Sequence, residues 1–183
     1  MRLTVTDVLD LLQTQGQACP ATAGVSQLDH ALQCAYLAEI AGEQTETVVA
    51  CLLHDLGRLL MAREPNHERP GAHADEVHPH IVQPFLQGLF PEAVLEPIRL
   101  HVQAKRYLCL IEPSYQDRLS PAARDRLQRQ GGAFTEAQAE HYIAQPFAIE
   151  ATRLRRYDDL AKVPGKRMPG LTHFAPCLEL VRL

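Results

Sequence analysis

Between residues 44 and 62 the chain is apolar on almost every side of a helix, through Val48, Val49, Cys51, Leu52, Leu53, Leu56, Leu59 and Leu60. A helix without a polar face belongs at the centre of a protein, covered by others. His54 and Asp55 stand in the middle of this stretch. An ionised carboxylate in such surroundings costs too much to keep unless it is paired or bound to a metal.

The rest of the chain repeats the helical period. Leu28, Ala31, Leu32, Ala35 and Ala38 recur at three- and four-residue spacing, predicting a helix over 26–41 with Ser26 as its N-cap and Asp29 three residues on. Further helices are predicted over 79–89, with Pro79 in the first turn, over 91–104 and over 146–162. Residues 63–76 read as a polar loop containing Pro and Gly. Pro113, Ser120-Pro121 and Gly131-Gly132 punctuate two shorter helical stretches. No strand alternation, internal repeat or low-complexity run stands out. The expected class is all-α, and 183 residues suit one domain spanning 1–183.

Composition narrows the function. The net charge is −4, too acidic for general nucleic-acid binding. It is unevenly spread: residues 1–100 carry five Lys and Arg against thirteen Asp and Glu, and residues 101–183 carry thirteen against nine. The basic half can hold a small anion. No segment is apolar for the ~18 residues of a membrane span and none reads as a secretory signal. Cys19, Cys34, Cys51, Cys109 and Cys177 are scattered and odd in number, so they read as buried thiols rather than disulfides or a zinc site. A cytoplasmic protein is expected.

His30, His54 and His101 each fall on the apolar face of a helix of this reading. A single histidine there is most often an ordinary hydrogen-bonded core residue. Several of them with an inward carboxylate form the ligand set of iron, zinc or manganese.

His30, the stretch LLHDLG at 52–57 and Asp158 in RLRRYDD (153–159) resemble the HD-domain superfamily, a bundle of helices around a metal site. SQLDHALQCA (26–35), RLHVQAKRYLC (99–109), LSPAARDRLQRQGG (119–132) and RLRRYDDLAKVPG (153–165) are further similar to the phosphonate-degrading di-iron oxygenases of that superfamily. The resemblance implies an HD-domain bundle around a dinuclear site with two irons, Fe(II)/Fe(III), and O2 as co-substrate. The metal ligands would be His30, His54, Asp55, His101, Asp158 and one more histidine between 55 and 101. His73, His78 and His80 are the candidates; His78 shares a stripe with Val82, Phe85 and Leu89 and is preferred.

Asp55 would bridge the metals. Lys105, one turn after His101, would act beside the metal-bound anion, and Arg155, three residues before Asp158, would bind substrate. The implied reaction is cleavage of the carbon–phosphorus bond of a small hydroxylated phosphonate, or a related hydroxylated anion, releasing phosphate and a carboxylate. The alternatives are a metal-dependent phosphohydrolase of a small phosphate ester and a metal-retaining relative without turnover. Departures from the family pattern gather around the substrate: Pro20 and Ala23 where a Tyr and a Glu are usual, Arg58 for a His, Val82-Gln83 for Gly-Ala and Ala123 for a Ser. Arg58 could bind an anionic group, whereas Arg153 and Arg156 read as surface or structural charges. Neither nucleic acid nor membrane is expected as a partner; the sequence leaves the oligomeric state open.

Overall fold

A computed structural model describes residues 3–21, 24–62 and 74–183. Among these, helices follow one another from end to end and no strand is present; two isolated bridges, Pro20 with Ser26 and Gln87 with Phe90, are the only extended pairings. The all-α reading agrees with this.

Helix α1 (Val5–Leu11) runs on into a π-helical turn at Leu12–Gly16. A capping box starts α1: the Thr4 hydroxyl accepts from the Asp7 amide, and the Asp7 carboxylate accepts from the Thr4 amide. Helix α2 is Gln27–Ile40. Its cap is Ser26, whose hydroxyl accepts from the Asp29 amide, as the sequence predicts. The Asp29 carboxylate accepts a hydrogen bond from the Ser26 hydroxyl in return.

The central apolar stretch is not one helix. Helix α3 (Thr45–Leu53) ends at His54, and α4 (Leu56–Met61) begins after Asp55, whose φ of −99° and ψ of 6° lie off the helical values. The interruption coincides with the His-Asp pair. His54 sends its Nδ1–H back to the carbonyl of Cys51, three residues earlier, and the chain turns there.

Helix α5 is Ala74–Leu86, earlier at both ends than predicted, and the proposed 63–76 loop lies outside the described residues as far as 73. Pro79 therefore sits inside α5 rather than in its first turn, as does Pro84, which removes the amide that would bond to the His80 carbonyl. Helix α6 (Glu92–Ile111) continues seven residues past the predicted end because Lys105, Leu108 and Cys109 carry its buried stripe on. Between Pro113 and residue 147 there are three short helices rather than two: α7 (Pro113–Arg118), α8 (Pro121–Arg129) and α9 (Glu136–Ile143), the last with a Thr135–Gln138 capping box. Helix α10 is Ala148–Leu160, and α11 (Leu171–Leu180) follows.

The main core gathers Leu and Val side chains of α1, α3, α4 and α5 with Phe90, Ile98, Leu154 and Phe174. Helix α6 packs along α10 and α3, while α2 lies against α3 and α10. The polar residues buried in this bundle are the informative ones: Gln27, His30, Gln33, His54, His78, His101, Lys105, Arg155 and Asp158 are all below 10% exposure, several among aliphatic neighbours.

Candidate metal centre

Five places in the bundle deliver these groups to a common point: His30 from α2, His54 and Asp55 from the α3–α4 break, His78 from α5, His101 from α6 and Asp158 from α10. The sequence-predicted ligand set is therefore brought together in space. Of the competing histidines, His80 is exposed and His73 lies outside the described residues.

The four imidazoles stand in a chain, with ring centroids 5.1 Å apart from His30 to His54, 5.2 Å from His54 to His101 and 5.2 Å from His101 to His78. Nδ1 of His30 donates to the Ala161 carbonyl at 2.7 Å, that of His54 to Cys51 at 2.8 Å and that of His101 to Ile98 at 2.6 Å. Donation from Nδ1 leaves each Nε2 as a bare lone pair in the neutral ring. Yet Nε2 of His30 faces Nε2 of His54 at 3.3 Å, and Nε2 of His78 faces Nε2 of His101 at 3.3 Å. The facing lone pairs of His30 and His54 repel unless a cation lies between them. Two nitrogens each ~2.1 Å from one metal ion sit ~3 Å apart, so both pairs have the spacing of shared ligation.

The carboxylates complete two groups. Asp55 joins His30 and His54 in one and His78 and His101 in the other, with all the potential ligand atoms of each group within 4.8 Å of one another. Its Oδ1 is 3.0 Å from Nε2 of His78, and its Oδ2 is 3.9 Å from Nε2 of both His30 and His54. Asp158 Oδ1 lies 3.2 Å from His30 Nε2. One carboxylate thus has an oxygen toward each histidine pair.

Charge follows the same plan. Burial works against ionising Asp55, but Arg58 and then His54 and His78 overcome it and hold its carboxyl well below the usual range. Burial likewise opposes Asp158, which Arg155, Lys162 and His30 hold well below that range. Burial and the neighbouring His78 and His54 push His101 well down, so it is a neutral ligand-type imidazole. Burial would also lower His30 and His54. Asp158 and Asp55 outweigh it at His30, and Asp55 and Cys34 at His54, so both are raised. Where these two rings attract protons, a cation is the natural competitor.

A cavity of about 90 Å³ opens onto the centre. Lys105, Arg155 and Arg58, the three cations singled out from sequence, all line it. Lys105 is only 4% exposed in spite of its charge. Arg155 is also engaged: it pairs with Asp158 at 2.7 Å and with Asp159, which in turn accepts from the buried Tyr115 hydroxyl. Arg58 donates Nε–H to Asp55 at 2.9 Å.

Ala123 lines the cavity where the family pattern has a Ser, and Ala21 does so beside Pro20; Ala23 lies outside the described residues. Val82 is a correction to the sequence reading. It is fully buried in the main core and takes no part in the cavity wall, so that departure is a packing change. Arg153 and Arg156 pair with Glu43 and Glu112 near the surface, as expected of structural charges.

Sequence reasoning missed Gln27, Arg126, Gln130 and Lys162, which also line the cavity. A signal was available for two of them, since Ala123, Arg126 and Gln130 recur at spacings of three and four along α8 and so share one face.

An all-helical bundle that concentrates buried histidine and aspartate at one point has the donor set of a metal-binding protein. The HD-domain family profile matches residues 28–127, and the chain belongs to that family. It is 40% identical over 181 residues to the hydroxymethylphosphonate dioxygenase of Gimesia maris, covering 96% of this chain and 88% of the relative. It is 32% identical over 155 residues to the [1-hydroxy-2-(trimethylamino)ethyl]phosphonate dioxygenase (glycine-betaine-forming) of Leisingera caerulea, covering 85% of this chain and 78% of the relative.

Proposed function

We propose that the protein is an O2-dependent oxygenase that cleaves the carbon–phosphorus bond of a small hydroxylated phosphonate, with two irons held by His30, His54, Asp55, His78, His101 and Asp158. The observation that carries the reading is the position of Asp55, common to two histidine-containing groups whose Nε2 atoms face each other in pairs. A centre with two histidine pairs and a shared carboxylate suits two ions, and the similarity to two phosphonate dioxygenases favours oxygenation over hydrolysis there.

In this assignment His30, His54, Asp55 and Asp158 hold one iron and Asp55, His78 and His101 the other. Iron, when bound, supplies the activation of O2 that no side chain can provide. The protein supplies the rest. The backbone carbonyls of Ala161, Cys51 and Ile98 fix the tautomers of three ligand histidines. The carboxylates of Asp55 and Asp158 neutralise metal charge in a buried site.

Lys105 and Arg155 place cationic donors at the cavity wall, where they hold the phosphonate oxygens and fix the hydroxyl-bearing carbon over the centre. Arg58, tied to Asp55, adds a third cation to the same pocket. For hydroxymethylphosphonate the balance is one O2 consumed, the carbon–phosphorus bond broken, and formate and phosphate released, with O2 as the only oxidant. No helix among the described residues is long and apolar enough to cross a membrane. With all five thiols free, we assign the reaction to the cytoplasm.

Incubation of anaerobically purified, iron-loaded protein with hydroxymethylphosphonate under air tests the reading. Oxygen uptake and phosphate release in equal amounts are expected. Phosphate release from a phosphate monoester without oxygen uptake, and none from the phosphonate, would contradict it.

A further inference from the structure

Arg155 stands three residues before Asp158 and four before Asp159, so one turn of α10 brings both carboxylates to a single guanidinium. Its Nη1 pairs with Asp158 at 2.7 Å. Its Nε donates to Asp159 at 3.2 Å, and Nη2 bonds to the same carboxylate. The two aspartates have different duties. Asp158 lies 3.2 Å from Nε2 of His30, at the metal centre. Asp159 lines an adjoining cavity of about 370 Å³ instead.

Asp159 is itself held. Its Oδ2 accepts from the hydroxyl of Tyr115 on α7, and Nζ of Lys162 donates to its Oδ1 at 3.3 Å. Tyr115 is 4% exposed and belongs to an apolar cluster with Leu108, Leu119 and Leu127. A phenol in such surroundings keeps a fixed partner for its hydroxyl. The ring therefore serves as an anchor: α7 fixes a carboxylate on α10, and that carboxylate fixes one edge of the arginine. Two carboxylates on a planar fork set the direction of its plane. A guanidinium has five N–H donors, more than these contacts engage, and Arg155 lines the cavity over the metal centre.

We infer that Tyr115 and Asp159 are positioning residues for phosphonate binding, acting through the guanidinium of Arg155. Side chains that hold a binding group in its productive orientation remove a cost the ligand would otherwise bear. The inference rests on the phosphonate reading and gives a task to two residues outside its metal centre and cavity wall.

Tyr115→Phe keeps the ring and removes the hydroxyl. In the iron-loaded full chain it should raise the KM for hydroxymethylphosphonate about three- to tenfold, with kcat within about twofold of wild type. Iron content should not change. Asp159→Asn should raise the KM further, and carries the prediction if Tyr115→Phe does not fold. Tyr142→Phe is the comparison, since its buried hydroxyl bonds to the Ala148 carbonyl and to Thr152 in a separate apolar cluster. That variant should lower the unfolding midpoint and leave the KM alone. In an Arg155→Lys background Tyr115→Phe should lose most of its effect, because the hydroxyl acts through the fork. A KM unmoved by Tyr115→Phe, an equal rise in Tyr142→Phe, or the same rise in the Arg155→Lys background would overturn the inference. Calorimetric binding of inorganic phosphate to the iron-loaded protein is the second readout, and it serves for the double variant if Arg155→Lys is inactive. If no phosphonate is turned over, the proposed reaction fails, while weaker phosphate binding in Tyr115→Phe still supports the anchor. Equal phosphate binding in the two proteins, or none in either, would defeat it.

Discussion

At the scale of single residues, Asp55 is the one residue among those described that belongs to both histidine groups. Replacing it by Ala should remove both metals, whereas Asp158→Ala, on the side of His30, should weaken one more than the other. Metal analysis of the two purified variants checks this; equal and full retention in Asp55→Ala would contradict it. Proton competition gives a second expectation. His30 and His54 have pKa values raised above their ordinary 6.5 in the metal-free protein, and each must be deprotonated to bind a cation. Metal affinity should therefore be full well above that raised range and fall as pH drops through it. Titration at about pH 8 and about pH 6 measures the change, and an unchanged affinity would be inconsistent with these two histidines as ligands.

At the scale of helices, the site depends on how closely neighbouring backbones approach. Gly57 in α4 is the clearest case, since a Cβ there would overlap the carbonyl oxygen of His78 on α5. The backbone at His78 cannot yield without moving that histidine. Gly57→Ala should therefore displace His78 from Asp55 and cost metal at the His78–His101 pair before it costs the fold. Reduced metal content with circular dichroism close to wild type is the expected outcome, and undiminished metal would show that α5 accommodates the methyl. Helix starts are governed separately. Ser26→Ala removes the α2 cap and should cost about 1 kcal/mol of stability, read by denaturant unfolding.

This is also the scale at which the sequence was easiest to misread. The α2 cap and the α2 stripe were plain because Ser26, Asp29 and the apolar period agree. The break at His54-Asp55 was hidden because Leu56, Leu59 and Leu60 continue the apolar pattern through it, and the side-chain bond from His54 to the Cys51 carbonyl leaves no trace in hydropathy. The start of α5 was placed too late because Pro79 is a good first-turn residue and here sits inside the helix instead.

For the whole molecule, His30, His54, Asp55 and His101 were conspicuous because burying imidazole and carboxylate in an apolar stripe is costly, whereas Asp158 and the need for one more histidine came from the family resemblance. The cavity wall was only half legible. Lys105 and Arg155 follow a clustered histidine or aspartate by one turn or precede it, and Arg126 and Gln130 share a face with Ala123, whereas Lys162 reaches the cavity from beyond the end of α10, which no local pattern announces. Helix α11 was missed altogether, with Pro176 inside it masking the Leu171, Phe174 and Leu178 stripe. It packs against α1 and α3, and Phe174 is fully buried in the main core. Phe174→Ala should cost about 3–5 kcal/mol, seen as a lower unfolding midpoint, and the protein that remains folded should keep its full metal content.

The central claim is that the two histidine pairs and their shared carboxylate hold two ions. Metal content of protein purified without oxygen and reconstituted with ferrous iron tests it most directly, measured against protein concentration by amino-acid analysis. Two irons per chain are expected, falling to about one in His78→Ala. A single iron per chain in the wild type, unaffected by His78→Ala, would contradict the account.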